Sequence, residues 1–267
     1  MLFSLLIAHY NNYDLFLDCY DSIVKQSYSN FEVIILDDCS TDGSFEKLTE
    51  LLKDDARFKI YQNDSNQGVG FTKKRLAELA NGEVCGFLDP DDALTENAIE
   101  NSVKNHTEKN VVTYSKFLLC DANLNYLKLF PQSRAIKNGD EKFFNIFLEA
   151  NHFFTFKKSA YNKTSGINAD LTSAVDQDLY LKLYEIGNFT FINEALYYYR
   201  LHEKGVSQEK SKKGKLNENW QKVILDTAKR RNIGRLYGKD IQDIDNLPEF
   251  IFKNQNTFLK KIQRKLQ

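Results

Sequence analysis

The chain has 267 residues, 42% of them hydrophobic, with 36 Lys and Arg against 37 Asp and Glu and a net charge of -1. That length buries one large core, or one core with a smaller appended unit, which predicts one catalytic domain with a tail. The charge is uneven: residues 203–267 hold 16 Lys and Arg against 8 Asp and Glu, so a tail of +8 follows a body of -9. An acidic body argues against a nucleic-acid enzyme, which needs a basic working face, and suits a divalent metal.

The first apolar run, Phe3–Ala8, stops at His9. It falls far short of the ~20 residues of a membrane span and lacks a basic flank, so it reads as a buried strand. Leu15, Phe16, Cys19, Ile23 and Val24 recur at helical spacing, and Phe31–Leu36 is a second buried strand. Near-continuous apolar strands joined by a helix describe a parallel sheet covered on both faces. A helix starts near Asp42 or Ser44, a strand covers Phe58–Tyr61, a third helix covers about Phe71–Ala80, and a strand at Val84–Leu88 ends in Asp89-Pro90-Asp91-Asp92. The alternation then loosens, with strands expected at Val111–Tyr114, Asn125–Leu129, Phe153–Phe156 and Phe189–Ile192 and a helix over about Asp176–Ile186. The expected class is α/β: a mostly parallel, Rossmann-like central sheet flanked by helices, with a helical C-terminal extension. The expected division is a catalytic domain over 1–207, with a nucleotide-binding half at 1–92 and an acceptor half at 93–207, then a basic helical extension over 208–267. The four cysteines, Cys19, Cys39, Cys85 and Cys120, form no C-x-x-C pair. That spacing indicates neither a zinc site nor a disulfide framework and fits a reducing cytoplasm.

In open α/β sheets ligands bind beyond the carboxyl ends of the strands, so Tyr10-Asn11, Asp37-Asp38 and Asp89-x-Asp91 would face one crevice. Each has a structural alternative: Ser40, Asp42, Asp91 or Asp92 as helix caps, and Asn11 as a loop residue at a helix entry. Gly68-x-Gly70 is a weak dinucleotide signal, because Lys73 stands where the third glycine of that fingerprint would be. Lys73 shares a helical stripe with Val69, Leu76 and Ala80, so it points inward or at a ligand.

Ser4–Asn11 (SLLIAHYN), Leu36–Ser44 (LDDCSTDGS), Asn66–Arg75 (NQGVGFTKKR) and Phe87–Asp92 (FLDPDD) resemble, in order, the signatures of family 2 glycosyltransferases. The likeness resumes at Gly166-Ile167, Val175–Leu179 and Tyr199–His202 with Ser207. The resemblance implies the GT-A fold and inverting transfer of a sugar from a nucleotide-diphosphate sugar, a UDP-sugar first, to a hydroxyl of a glycan or lipid-linked acceptor in cell-surface polysaccharide synthesis. It implies that Ala8, Tyr10 and Asp38 hold the nucleoside, with the Tyr10 ring as a stacking surface and Asp38 as acceptor for the base N–H. Asn66, Gly68, Lys73, Asp89 and His202 join them around the donor. Asp89 and Asp91 match the D-x-D motif that binds Mn2+ or Mg2+, ions that take hard oxygen ligands. Lys73 stands where arginine is usual, which keeps the charge but loses the bidentate fork.

By the same resemblance the base is Asp176, with Asp178 the alternative because Val175 replaces a usual Glu. Asp176 has its own structural reading, since Ser173-x-x-Asp176 is close to a capping box. His202 is either an ordinary hydrogen-bonded side chain or a residue near the diphosphate and metal. The aromatic stretch Phe143-Phe144, Phe147 and His152–Phe154 lies where an acceptor pocket is expected and is mostly core. From Phe252 to Gln267, Lys253, Lys260, Lys261, Arg264 and Lys265 accompany Phe258, Leu259, Ile262 and Leu266 without an acidic residue. This is either an amphipathic basic helix making peripheral contact with the inner face of the plasma membrane or a helix packed on the domain. Two other function classes stay open: a nucleotidyltransferase-like nucleotide-sugar enzyme, and a catalytically silent sugar-nucleotide-binding homologue.

Overall fold

Side chains alternate across the first strands and feed two separate cores. In the computed structural model, which describes residues 1–202 and 213–257, β1 (Phe3–His9) is followed by α1 (Tyr13–Val24), β2 (Phe31–Asp37), α2 (Ser44–Leu52), β3 (Phe58–Gln62), α3 (Val69–Leu79) and β4 (Val84–Phe87). Leu6, Ile34 and Leu36 pack on one face with Leu76 of α3, while Leu5, Ile7, Val33 and Ile35 pack on the other with Phe16 and Leu48. Strands covered on both faces read as continuous apolar runs. These four strands are parallel, in the order β3-β2-β1-β4.

The second half continues the same sheet. After β5 (Ala93–Leu94) and α4 (Ala98–Asn105) come β6 (Val112–Cys120), β7 (Tyr126–Leu129), β8 (Thr155–Lys157), α5 (Lys158–Tyr161), α6 (Val175–Tyr184) and β9 (Phe189–Arg200). The order runs on as β4-β8-β6-β9-β5, with β8 antiparallel between β4 and β6, and β6 parallel to β9. The strand expected at Phe189–Ile192 extends to Arg200, because ladder partners from Val112 to Cys120 carry it past the polar Asn193-Glu194 step by shifts of register. This extension brings Tyr197, Arg200 and His202 beside the Asp89–Asp92 turn.

Beyond residue 212, α7 (Lys213–Arg230), the short hairpin β10 (Arg235–Leu236) and β11 (Lys239–Asp240), and α8 (Leu247–Gln255) pack back on the body. Ile224, Leu236, Leu247 and Ile251 enclose Phe144 and Ile146, which are therefore core. The predicted tail helix overlaps α8 only through Gln255; its residues 258–267 lie outside the described ones. Among the described residues no helix is long and apolar enough to cross a membrane. All four cysteines are free thiols.

Candidate active site

The carboxyl ends of β1 and β2 are tied to each other before any ligand is considered. Asp37 is fully buried and accepts from His9 Nδ1 at 3.0 Å, from Ser40 N at 2.8 Å and from Gln62 Nε2 at 3.1 Å. Burial alone would raise its pKa, but these donors outweigh it and hold the carboxyl at about 2. Asp37 is thus a structural anion. Asp38 follows it, 5% exposed, and accepts from Asn63 Nδ2, Gln67 N and Gly68 N, each at 2.8 Å. A carboxylate offers about four acceptor sites, so one remains on Asp38. Tyr10, 45% exposed, leaves β1 beside it, and Ala8 is partly buried one pleat earlier.

Asp38 also sets the entry to α3. The loop it folds carries the exposed Asn66 and Gly68, whose φ of +84° is a conformation that favours glycine. Two residues on, a Cβ at Gly70 would stand 2.5 Å from the carbonyl oxygen of Leu171. Glycine therefore lets α3 press on the loop that leads into α6. One turn along α3, the inward stripe carries Lys73, 5% exposed, as the spacing predicts.

Lys73 is where the two halves meet. Its Nζ lies 2.9 Å from Asp176 Oδ1 and 3.2 Å from Asp89 Oδ1. Burial works against the ammonium, but the two carboxylates more than offset it and hold its pKa above the ordinary lysine value. Burial raises Asp89 in turn, and Lys73, with His152 behind it, brings it below the usual range. The capping-box alternative for Asp176 does not form: Ala174 occupies the N-cap with φ of +57°, and the Ser173 hydroxyl accepts from Asn219 Nδ2 at 2.8 Å instead. Asp178 is 2% exposed, bonded to Lys182 Nζ at 2.8 Å and to Asn168 N at 2.8 Å.

The D-x-D turn is fastened from β9. Arg200 donates through Nε to the Asp91 carbonyl at 2.6 Å, through Nη1 to Ala122 O at 2.7 Å and through Nη2 to Asp18 Oδ2 at 2.7 Å. Asp92 accepts from Arg200 N at 2.8 Å and from the Tyr197 hydroxyl at 2.6 Å, and the same hydroxyl accepts from Asp89 N at 3.3 Å. Burial, then the neighbouring Asp91 and Asp89, push Asp92 well above the ordinary carboxyl range. His202 Nε2 lies 2.7 Å from Asp91 Oδ2.

Asp91 is paired with His202, and Asp89 with Lys73. Among the described residues no group of three or more His, Cys, Asp or Glu could hold a metal by itself. The carboxylates of Asp89 and Asp91 are hard oxygen donors of the kind a divalent cation takes.

Lys73, Asp89 and Asp176 line one cavity with Phe87, His152, Phe154, Tyr180 and Tyr197. Of the site residues expected from the sequence, the cavity brings together Lys73, Asp89 and Asp176, while Ala8, Tyr10, Asp38, Asn66, Gly68, Asp91 and His202 are not in its lining. Sequence reasoning missed the parts played by Tyr180 and Tyr197. Tyr180 carried a signal, since it lies four residues after Asp176 on one helix face; Tyr197 required knowing that β9 continues past Ile192.

A parallel first half, a D-x-D turn at the end of β4 and a carboxylate from a helix of the second half follow the layout of the GT-A fold. Residues 4–165 match the sequence profile of glycosyl transferase family 2, and the chain belongs to that family. Over 268 residues it is 29% identical to the hyaluronan synthase of Pasteurella multocida, an alignment covering 98% of this chain but only 26% of that protein. The S. aureus TarS fragment 1–349, solved in complex with UDP-GlcNAc, superposes with a TM-score of 0.66 at 18% identity, covering 98% of this chain and 78% of that one. The mannosyltransferase PcManGT of Pyrobaculum calidifontis, solved in complex with GDP-Man and Mn2+, superposes at 0.62 with 15% identity, covering 94% of this chain and 67% of that one.

Proposed function

We propose that the protein is an inverting, divalent-metal-dependent glycosyltransferase that moves a sugar from a UDP-sugar to a hydroxyl of a glycan or lipid-linked acceptor in bacterial polysaccharide synthesis. The observation that carries this reading is the single ammonium of Lys73 bonded to both Asp89 and Asp176. It joins the turn expected to hold the diphosphate to the carboxylate expected to take the proton. The synthase and transferase names among its relatives agree, as does the UDP-GlcNAc bound to its structural neighbour.

In this mechanism Tyr10 stacks on the uracil and the spare acceptor site of Asp38 takes the base N–H. Asp89 and Asp91, with His202 adjacent, would hold Mn2+ or Mg2+, which when bound supplies Lewis-acid stabilisation to the departing diphosphate. Lys73 adds a fixed positive charge beside the same oxygens. Asp176 has one oxygen held by Lys73 and a side chain 39% exposed toward solvent, so the other oxygen faces the incoming acceptor. The acceptor oxygen attacks the anomeric carbon from the side opposite the diphosphate, its proton passes to Asp176, and the bond from that carbon to the diphosphate oxygen breaks. A nucleoside diphosphate and an inverted glycoside result.

Two substitutions test this. Asp91→Ala is expected to abolish both turnover and the Mn2+-dependent part of UDP affinity, read by calorimetry with and without the ion. Asp176→Asn is expected to keep that affinity and lose turnover by about 10²–10⁴. Unchanged Mn2+-dependent binding in the first, or full activity in the second, would remove that residue from its assigned part.

A further inference from the structure

A second cavity, of about 310 Å³, opens between the first turn of α6, the 168–171 loop and α7. Asp176 lines the cavity it shares with Lys73 and Asp89, whereas Asp178 lines this one. Residues two apart on a helix project about 200° from each other, so the first turn of α6 stands as a wall between the two spaces. The volume falls within the ~300–1,000 Å³ of sites that take small organic molecules.

The charges of the lining do not cancel. Asp178 is neutralised by Lys182 at 2.8 Å, and Asp226 faces Arg230 at 3.5 Å. Lys222 and Lys229, both exposed on α7, make no ion pair or hydrogen bond among the described residues. Both carboxylates of the lining are thus served from elsewhere, and the two lysines leave an excess of positive charge in a molecule whose residues 1–202 carry -9. Seven residues separate the lysines, about 10 Å along the helix axis, a spacing that fits anionic groups set along a chain rather than one small ion. Asn168 adds a donor, since its side-chain oxygen accepts from Asp170 N at 3.0 Å and its amide nitrogen is left over. Leu171, Val223 and the exposed Leu225 supply apolar surface between these polar groups.

We propose that this cavity holds an acidic glycan chain, with carboxylate or phosphate groups of the chain paired to Lys222 and Lys229 and the carbon faces of its sugars resting on Leu171 and Leu225. That the chain is the acceptor or product of the transfer rests on the function proposed above; the cavity itself uses none of the catalytic residues. A recess walled by the 168–171 loop admits a chain and excludes a flat membrane surface. The acidic remainder of the molecule repels such a chain, so the two lysines fix where it touches.

The test uses the full chain and measures binding by calorimetry at low salt, with and without UDP and Mn2+. The probes are a uronate-bearing oligosaccharide, an oligosaccharide of phosphodiester-linked sugars, a neutral oligosaccharide of the same length, glucuronate and inorganic phosphate. At least one acidic chain is expected to bind about fivefold or more tighter than the neutral chain, the worth of two ion pairs at a protein surface, and to name the anion by which one it is. Its affinity is expected to be the same with UDP and Mn2+ present, because the wall of α6 separates the sites. Lys222→Gln with Lys229→Gln is expected to remove that preference, whereas Lys25→Gln with Lys104→Gln, exposed lysines of the first half, leaves it within about twofold. Acidic and neutral chains binding alike, equal losses in the two double variants, or glucuronate or phosphate binding as tightly as the chain would each overturn the proposal. Anionic vesicles that retain the wild type but not the Lys222 and Lys229 variant, with no chain bound, would assign the lysines to a membrane and overturn it as well. Failure of UDP to bind would sink the transferase reading and leave the glycan site standing; UDP binding without any chain does the reverse. Should a variant unfold, the wild-type comparison of probes still decides.

Discussion

Asp178 and Asp176 sit two residues apart on one helix and face different surroundings. Asp178 is buried against Lys182, whose ammonium also donates to the Gly166 carbonyl at 2.8 Å, so the pair fixes the loop before α6. Removing one member of a buried pair strands the other's charge and costs about 3–5 kcal/mol. Asp178→Asn is therefore expected to lower the free energy of unfolding by that order in denaturant titrations, and to reduce activity only in proportion to the folded fraction. Asp176 is partly exposed, and its substitution by Asn is expected to change stability by less than about 1 kcal/mol. A variant of Asp178 that is as stable as wild type yet inactive would reverse the two assignments. The sequence alone left this choice open because both acids occur within the first turn of α6, and their difference in burial appears only once Gly166–Asn168 is seen folded over Asp178.

At the scale of elements, the first half of the sheet was legible and the second half only in part. The apolar runs of β1, β2 and β4 and the helical stripe of α3 carry their periodicity in the chain, so the strands and the inward side of Lys73 followed from spacing. The helix α4 was missed because it is only eight residues long and buries just Ala98, Ile99 and Ser102. The strand β9 was cut short because its middle residues Asn193 and Glu194 are exposed and bulge out of the ladder, and pairing with β6 resumes at Ala195. Glycine at position 70 is legible only in three dimensions: its Cβ would approach three backbone carbonyls, those of Leu171, Asn168 and Ala169, at 2.5, 2.8 and 2.9 Å. Backbone cannot rotate away as a side chain can, so Gly70→Ala must part α3 from the 168–171 loop. Overpacking of this kind costs about 1–3 kcal/mol, and a shift near 1 Å between catalytic groups costs about 10² in rate. The expectation is a lowered melting temperature together with a loss of turnover of that size, with UDP affinity nearly retained because Tyr10 and Asp38 lie outside the moved contact. Wild-type turnover in Gly70→Ala would show that the Lys73–Asp176 distance is not held by this packing.

For the whole molecule, the question is how far the helices after residue 207 belong to the catalytic unit. The basic composition of residues 208–267 suggested an appended piece, and the chain spans about a quarter of the length of the hyaluronan synthase it resembles. Contacts run the other way. Ile224, Leu247 and Ile251 are fully buried against Phe144 and Ile146; Arg230 and Arg231 both bond Glu185 at the end of α6, at 2.8 and 3.0 Å. Asn219 reaches Thr172 and Ser173, the residues that lead into Asp176. Burying each large aliphatic or aromatic side chain contributes about 1.5–3 kcal/mol, so exposing this cluster removes an amount comparable to the whole stability of a typical domain. A chain truncated after Ser207 is therefore expected to lose its cooperative thermal transition, or to melt at least about 10 °C lower, and to lose donor hydrolysis because the start of α6 is no longer held. Differential scanning calorimetry of the two chains, followed by UDP titration at a temperature where both retain secondary structure, separates the outcomes. Equal melting temperatures and equal UDP-sugar hydrolysis would establish that α7 and α8 are an extension dispensable to the site.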